Sequence, residues 1–213
     1  MRSFTGTSRM AEREEPVRLA IFISGRGSNM KTLVQACLDE GFAKPVLILS
    51  NSYSAAGLEW ATENDLPIAA IDHRAYDDRE SFEKDVQDTL ELHNVEFIAL
   101  AGFMRVLTPW FTDQWEGRMI NIHPSLLPKY PGLHTHKRAI EAGDKEAGCS
   151  VHWVTAGVDE GAVIDQERVE IMPNDTPDAL AERVLEREHF LYPRALQKAI
   201  SDFLVRELQN EAD

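Results

Sequence analysis

"VRLAIFISGRGSNMKTLVQACLDE", residues 17–40, contains the pattern that decides the fold. An apolar run is followed by a turn with two glycines, and residues 28–40 then repeat apolar positions with the period of a helix. A buried strand followed by an amphipathic helix is the unit from which sheets of parallel strands are built. The stretch therefore predicts the first strand and first helix of an α/β domain.

The same pattern recurs along the chain. Further strand-like runs are "PVLILS" (45–50), "PIAAID" (67–72), "EFIALAG" (96–102) and "RMINIH" (118–123), and helical periodicity is good in "AAGLEWATEN" (55–64) and "DDRESFEKDVQDTLELH" (77–93). The sequence predicts a doubly wound, Rossmann-like α/β fold, with a mostly parallel sheet and helices on both faces.

After residue 147 the pattern changes. "AGCSVHWVT" (147–155) and "GAVIDQERVEI" (161–171) read as strands separated by a turn-rich loop, which predicts a C-terminal mixed or antiparallel extension of the same sheet. A final helix is predicted between residues 177 and 209, with Pro193 as a break or kink.

Length and charge limit the function. The 213 residues, 43% of them hydrophobic, suit one domain over 17–213 after a flexible polar tail at 1–16, in which Met10 is a possible alternative start. A formal charge of -14 without a basic block argues against a nucleic-acid partner.

No apolar run reaches the roughly 18 residues needed to span a bilayer and no signal peptide is present, so we expect no membrane association and a cytoplasmic location. Cys37 and Cys149 are predicted to be buried free thiols.

The turn in "ISGRGSNM" (23–30) is a candidate phosphate site. Gly25 and Gly27 permit close backbone approach, and Ser28 and Asn29 could cap a helix whose N–H groups would face an anion. A purely structural turn is the alternative. No acidic residue stands in a convincing place in "LSNSYS" (49–54), which argues against a dinucleotide.

The stretch "NIHPSLLPKYPGLHTH", residues 121–136, follows the fifth strand-like run. Asn121 and His123 alternate on that strand, so both side chains point to one face at the carboxyl end of the strand, where they could stabilise an oxyanion. For an isolated N-x-H, a buried histidine beside a capping asparagine is the more frequent arrangement. Three prolines, at 124, 128 and 131, predict a stiff loop that forms the wall of a pocket.

Other histidines and acids raise two further hypotheses. His134, His136 and His152 could join His123 in a metal site, but no metal-ligand spacing supports this, and His134 and His136 could instead orient the loop. Asp159 could pair with an imidazole and raise its pKa. The alternative is a solvated acidic loop that also includes Glu160 and Asp165.

Together, "ISGRGSN", "LAGFMRVL", "NIHPSLLPKYPGLHTHKRAI", "GCSVHWVTAGVDEGAVIDQ" and "EHFLYP" resemble the successive motifs of the glycinamide ribonucleotide formyltransferase family. The resemblance extends from about residue 17 to about residue 203. It implies the formyltransferase fold and transfer of a formyl group from 10-formyltetrahydrofolate to the glycyl amine of glycinamide ribonucleotide in purine synthesis. No metal is implied, and the expected assembly is a monomer or homodimer.

The resemblance also assigns residues to roles. It implies a catalytic group of Asn121, His123 and Asp159. Substrate-binding residues carried over from the family, with Arg26 added as a charge particular to this chain, are Gly25, Arg26, Gly27, Ser28, Asn29 and Glu188. Folate-binding residues carried over are Arg79, Met104, Arg105, Val106, Leu107 and Asn121. Leu185 departs from relatives that have a basic or amide residue there, so phosphate binding should depend more on Arg26 and the backbone.

Two other functions stay open. A formyltetrahydrofolate hydrolase would use water at the same three catalytic residues, and a non-catalytic folate- or nucleotide-binding module would not call for that set. Methionyl-tRNA formyltransferase carries an added C-terminal domain and formyltetrahydrofolate deformylase an N-terminal regulatory domain, and we expect neither here.

Overall fold

A single sheet of seven strands organises the computed structural model, which describes residues 15–210. The strands are β1 (Val17–Ile23), β2 (Ala43–Ser50), β3 (Ile68–Ala70), β4 (Phe97–Leu100), β5 (Met119–His123), β6 (Glu146–Trp153) and β7 (Val163–Glu170). Their order across the sheet is β3-β2-β1-β4-β5-β6-β7, and β1 to β5 are parallel while β6 and β7 are antiparallel. The predicted fold class, including the antiparallel C-terminal extension, is confirmed.

Six α-helices connect or follow these strands in the described part of the chain. They are α1 (Ser28–Glu40), α2 (Ala56–Glu63), α3 (Arg79–Leu92), α4 (Pro109–Gln114), α5 (Thr135–Glu141) and α6 (Pro177–Asn210), and a 3-10 helix covers His73–Ala75. The bounds of α1 match the prediction. The short helices α4 and α5 were not predicted, because six or seven residues give too little periodicity to recognise.

The sheet is covered on both faces because its parallel strands are apolar on both sides. On β1, Leu19 and Ile21 belong to one buried cluster, which includes side chains from α1 and α6. Ala20 and Phe22, the alternate residues of the same strand, belong to a second cluster with side chains from α3 and α4. Two layers of helices therefore enclose the central strands.

Local signals in the sequence set the ends of several helices. The Asp78 side chain accepts a hydrogen bond from the Ser81 N–H at the start of α3. The Thr108 side chain accepts one from the Phe111 N–H at the start of α4. Gly41, at φ 69°, ends α1 by donating its N–H to the Cys37 carbonyl. The starts of α3 and α4 fix where two loops at the carboxyl edge of the sheet end.

Helix α6 runs without interruption from Pro177 to Asn210, so of the break or kink predicted at Pro193 the break is wrong. One turn of the helix lacks the N–H of Pro193, but packing of its buried face maintains the helix on both sides. The Tyr192 Oη, fully buried, donates to the carbonyl of Leu100 on β4 at 2.9 Å. The helix is thereby tied to the centre of the sheet.

Three remaining predictions concern the thiols, the tail and the membrane. Cys37 and Cys149 are free and buried, as predicted, and burial raises the pKa of both thiols, that of Cys37 to about 12. The predicted tail and Met10 lie outside the described residues, apart from residues 15 and 16. Among helices of the described chain, none combines the length and apolar character needed to cross a membrane.

Candidate active site

The predicted site residues lie mainly at the carboxyl ends of β1, β4 and β5. β1 and β4 are neighbours although they are not consecutive in the chain, and their following connections leave from the point where the strand order reverses. Open α/β sheets bind ligands at such a switch point. The Met104 N–H donates to Ser24 Oγ at 2.8 Å, so the two segments that follow these strands are in contact.

The three residues expected to be catalytic, Asn121, His123 and Asp159, lie close together, and His152 contacts two of them. On β5, Asn121 and His123 face β6, where Asn121 is paired in register with His152. His123 Nδ1 lies 3.2 Å from Asp159 Oδ2, and this carboxylate oxygen also accepts from the Gly132 N–H at 2.8 Å. Asp159 is therefore held against the imidazole, not solvated in an acidic loop.

His123 is buried, and its two ring nitrogens both face oxygen atoms. Nδ1 faces Asp159, and Nε2 lies 2.9 Å from the Tyr130 carbonyl. Burial lowers the pKa of His123 below its ordinary value, although the Tyr130 carbonyl and the Asp159 charge act to raise it. The pairing with Asp159 thus raises this pKa, as predicted, but desolvation of the imidazolium outweighs the carboxylate and the net shift is downward.

Asp159 keeps its charge in this partly buried position. Burial acts to raise its pKa, but hydrogen bonding to His152 and the Gly132 N–H, together with the charges of both imidazoles, lowers it below the ordinary value. Asp159 itself has φ 56°, a left-handed conformation that aspartate tolerates better than most residues. The Asp159 carboxylate is thus fixed beside His123, whose lowered pKa means that the imidazolium loses its proton more readily than usual.

His152 is a site residue that the sequence did not identify in this role. Its Nε2 lies 3.2 Å from Asn121 Nδ2 and 3.5 Å from Asp159 Oδ1, and its Nδ1 lies 2.8 Å from the Trp153 carbonyl. The side chain is 3% exposed and joins two of the expected catalytic residues. His152 and Ser150 alternate on β6 and lie opposite Asn121 and His123, on the same face of the sheet. This alternation was the signal that could have indicated His152.

The turn after β1 brings backbone N–H groups to the edge of the sheet. Gly27 has φ 69°, and a Cβ there would lie 2.9 Å from Met30 Cε and 3.3 Å from Gly57 Cα, so this position requires glycine. Around Gly25 a Cβ would meet no atom within 4 Å. The predicted capping by Ser28 and Asn29 is wrong: Gly27 occupies the N-cap without a side-chain hydrogen bond, and Ser28 is the first helical residue.

Asn29 instead joins Glu188 on α6. Asn29 Nδ2 donates to Glu188 Oε2 at 2.6 Å, in a buried contact between residues 159 positions apart. Burial raises the pKa of Glu188 to about 6, and the Asn29 amide opposes that rise. Asn29 Oδ1 is also buried and has no hydrogen-bond partner among residues 15–210. Arg26 is exposed in the turn before α1, and Leu185 is half-buried one turn before Glu188.

The residues expected to bind folate follow β4. Met104 and Val106 are exposed apolar side chains, 70% and 51% accessible, whereas Leu107 is buried at 7%. Arg105 is half-buried in the loop and does not start a helix, since α4 begins at Pro109. Arg79 is the exposed first residue of α3, and no hydrogen bond or ion pair joins it to another residue within 15–210.

The loop after β5 is held by side chains as well as by its prolines. The Leu127 N–H donates to Ser150 Oγ at 3.0 Å, and Ser150 Oγ donates to the Ser125 carbonyl at 2.6 Å. Gln166 Nε2 donates to the Leu127 carbonyl at 2.9 Å. Two strands of the antiparallel extension therefore anchor the wall that carries the Tyr130 carbonyl to His123.

The remaining candidates lie outside this network. His134 is exposed at the N-cap of α5, and His136 Nε2 is buried without a partner, so neither side chain orients the loop by a hydrogen bond to a described residue. Asp165 pairs with Arg194 at 2.9 Å. Within residues 15–210, no group of three or more histidine, cysteine, aspartate or glutamate side chains is arranged to hold a metal ion.

Comparison with known proteins gives a consistent set of relatives. The phosphoribosylglycinamide formyltransferase of Escherichia coli is 40% identical over 178 residues, which are 83% of this chain and 84% of that protein. The trifunctional purine biosynthetic protein adenosine-3 of Drosophila melanogaster is 46% identical over 187 residues, which are 86% of this chain. The match covers 14% of that much longer protein.

A solved structure and a family model agree with these relatives. The crystal structure of phosphoribosylglycinamide formyltransferase from Brucella melitensis is 44% identical in sequence, with a TM-score of 0.83, and the match covers 87% of this chain and 96% of that one. The formyl transferase family model matches residues 17–196. The chain therefore belongs to the formyl transferase family, among the phosphoribosylglycinamide formyltransferases.

Proposed function

We propose that this protein transfers the formyl group of 10-formyltetrahydrofolate to the glycyl amine of glycinamide ribonucleotide. The observation that carries the proposal is the network of Asn121, His123, Asp159 and His152 at the carboxyl edge of the sheet, in a chain of the formyl transferase family. Relatives named as phosphoribosylglycinamide formyltransferases support the same reaction.

The chemistry requires an oxyanion to be stabilised. The glycyl amine attacks the formyl carbon, a carbon–nitrogen bond forms, and the carbonyl oxygen becomes negatively charged. The amide of Asn121 can donate to that oxygen, and His123 can supply positive charge. Negative charge beside the imidazole raises its pKa, so His123 can take up the proton that the attacking amine loses and become charged as the intermediate forms, although burial disfavours that charge in the free protein.

Collapse of the intermediate completes the transfer. The bond from the formyl carbon to the folate nitrogen breaks, the amine loses one proton, and the departing folate nitrogen gains one, directly or through water. Asp159 holds His123 in place and compensates its charge during these steps. No covalent enzyme intermediate is required, and the raised pKa values of the buried Cys37 and Cys149 make a thiolate nucleophile unfavourable.

The ribonucleotide fits the turn after β1. Uncapped N–H groups at the start of α1 and the helix dipole favour a phosphate there, and Arg26 adds a positive charge. The buried Glu188 and the free Asn29 Oδ1 are acceptors suited to ribose hydroxyls. Leu185 offers no hydrogen bond to the phosphate, so the backbone and Arg26 account for that contact in this proposal.

The folate fits the loop after β4. The exposed Met104 and Val106 can cover the flat pterin ring, while the loop backbone and Arg105 read its donors and acceptors. Asn121 lies at the end of the neighbouring strand, where the formyl group would be placed. Arg79 is available to the glutamyl tail as an exposed cation.

A spectrophotometric assay of 10-formyltetrahydrofolate, with and without glycinamide ribonucleotide, tests the proposal. Consumption that depends on the ribonucleotide is the expected result. His123→Ala should reduce kcat by at least about a hundredfold while folate binding is retained. Equal consumption without the ribonucleotide would instead establish a hydrolase, and binding of both ligands without turnover would establish a binding module.

A further inference from the structure

A chain of hydrogen bonds at the carboxyl ends of β1 and β2 leads to the loop expected to bind folate. The Met104 N–H donates to Ser24 Oγ at 2.8 Å, and Ser24 Oγ donates to Asn51 Oδ1 at 2.6 Å. Asn51 Nδ2 lies 3.1 Å from His73 Nδ1, and the same ring nitrogen lies 3.0 Å from the Asn51 carbonyl. The chain therefore connects residues from three separate segments.

Ser24 holds both ends of the turn that begins this loop. Its backbone N–H donates to the Gly102 carbonyl at 3.2 Å, and its hydroxyl accepts from the Met104 N–H. Gly102 has φ 81°, and residues 101–108 form neither helix nor strand. Because residues 101–108 have no regular hydrogen bonds of a helix or strand, the position of the loop depends on the contacts with Ser24.

Asn51 fixes the direction of the serine hydroxyl. It is 5% exposed, and its Oδ1 can only accept, so the Ser24 hydrogen points to Asn51 and a lone pair faces the Met104 N–H. His73 supports the other end of the amide, and its ring packs edge-on against Phe82 at 6.4 Å. Hydrogen bonds arranged in series polarise and strengthen one another.

We propose that Ser24 and Asn51, supported by His73, are positioning residues for the folate, because they fix the backbone from which Met104 and its neighbours would contact the pterin ring. This inference rests on the proposed function, which places the pterin on residues 104–107. Asn51 is the asparagine of "LSNSYS", the segment in which a dinucleotide site would have an acidic residue. In this proposal we assign it a role in positioning the loop after β4.

Four variants test the inference: Ser24→Ala, Ser24→Thr, Asn51→Ala and Ser54→Ala. The dissociation constant of 10-formylfolic acid, an oxidised and stable formyl-folate, should rise about three- to tenfold in Ser24→Ala and in Asn51→Ala. The dissociation constant of glycinamide ribonucleotide should stay unchanged, and kcat at saturating folate should stay within about twofold. Ser24→Thr retains the hydroxyl and should restore folate affinity.

Ser54→Ala is the matched control. Ser54 is exposed in the same segment as Asn51, and within the described chain its hydroxyl hydrogen-bonds only to Ser52 Oγ, so all constants should stay at the parent values. The double variant Ser24→Ala/Asn51→Ala should bind folate no more weakly than the worse single variant, because both changes break one chain of bonds. Equal weakening of both ligands, or unchanged folate affinity in the two single alanine variants, would overturn the inference.

Amide hydrogen exchange provides a readout that needs no folate. Exchange in a peptide covering residues 102–107 should accelerate in Ser24→Ala and Asn51→Ala but not in Ser54→Ala. Exchange at the parent rate would show that the bonds do not hold the loop and would overturn the inference. A parent protein that protects this peptide but binds no 10-formylfolic acid would overturn the proposed function and, with it, the folate role of the loop.

Discussion

His152 contacts two of the three side chains proposed to act on the formyl group. Its Nε2 lies near both Asn121 Nδ2 and Asp159 Oδ1, while its Nδ1 is held at the Trp153 carbonyl. The ring is thereby fixed at both nitrogens. We interpret His152 as a positioning residue that sets the orientation of the Asn121 amide and of the Asp159 carboxylate.

We predict that His152→Ala lowers kcat by about tenfold to a hundredfold, since loss of the ring misplaces two catalytic groups. The KM for each substrate should change little. In an Asn121→Ala background the same change should cost less, because part of the effect of His152 passes through Asn121. His93→Ala, at the end of α3 outside this network, serves as the control, and steady-state kinetics of all four variants and the parent complete the cycle. Additive losses would contradict the positioning role.

Glu188 makes stability depend on pH. Its pKa in the folded protein, about 6, is above the ordinary value of 4.5, so the folded state favours the protonated carboxyl. Its contribution is present at low pH and is lost as the pH rises through this window. We predict that Glu188→Gln increases the free energy of unfolding by about 2 kcal/mol more at pH 8 than at pH 4.

Urea unfolding of the parent and Glu188→Gln at several pH values checks this prediction. A glutamine amide can also donate to the unpartnered Asn29 Oδ1, which adds to the stabilisation. Glu186→Gln changes an exposed carboxylate on the same helix and should leave the pH dependence at its parent form. Parallel pH profiles for the parent and Glu188→Gln would show that Glu188 is not the group that titrates.

Glu188→Gln should also bind glycinamide ribonucleotide more weakly, since it loses an acceptor for the ribose hydroxyls.

At the scale of elements, the turn between β1 and α1 depends on one glycine more than on the other. Gly27 combines a left-handed φ with close approach to Met30 and Gly57, whereas the space around Gly25 is open. The sequence motif showed two glycines of similar appearance. The difference between them follows from the left-handed φ of Gly27 and from its close contacts with Met30 on α1 and Gly57 on α2.

We predict that Gly27→Ala destabilises the protein by about 1–3 kcal/mol, from backbone strain and from displacement of Met30. Gly25→Ala is the control and should change the free energy of unfolding by less than about 0.5 kcal/mol. Urea denaturation at constant pH measures both values. Equal destabilisation by the two substitutions would show that conformational entropy, and not the contacts of Gly27, accounts for the requirement.

At the scale of the whole molecule, α6 connects parts of the chain that are distant in sequence. Arg194 pairs with Asp165 on β7, Lys198 Nζ donates to the Ile164 carbonyl, and Arg206 donates to the Gly117 carbonyl before β5. The helix also packs on α1 through Leu196 and Ile200, which share a buried cluster with Leu33. These contacts favour one cooperative unit over residues 17–210.

We predict that urea unfolds the protein in one transition. Circular dichroism reports the helices throughout the chain, and tryptophan fluorescence reports Trp60, Trp110, Trp115 and Trp153 in different segments. The two midpoints should coincide, as they do for single cooperative domains. Tyr192→Phe, which removes the hydroxyl tie to Leu100, should lower both midpoints together. Separate midpoints would instead indicate that the antiparallel extension unfolds independently.

The sequence by itself determined the α/β class, the order of the strands and longer helices along the chain, the buried thiols and the shared face of Asn121 and His123. These features depend on local periodicity, which repeats every two residues in a strand and every 3.6 in a helix. The residues alone raised Asp159 as a partner for an imidazole, and resemblance to a family added Glu188 and identified His123 as that imidazole.

Only the tertiary structure decided how those groups act on one another. The position of His152 between Asn121 and Asp159, the tie from Ser24 to Met104 and the continuity of α6 through Pro193 all depend on contacts between distant segments. The lowered pKa of His123 was decided in the same way, because desolvation is set by everything packed around the ring and leaves no trace in the spacing of residues.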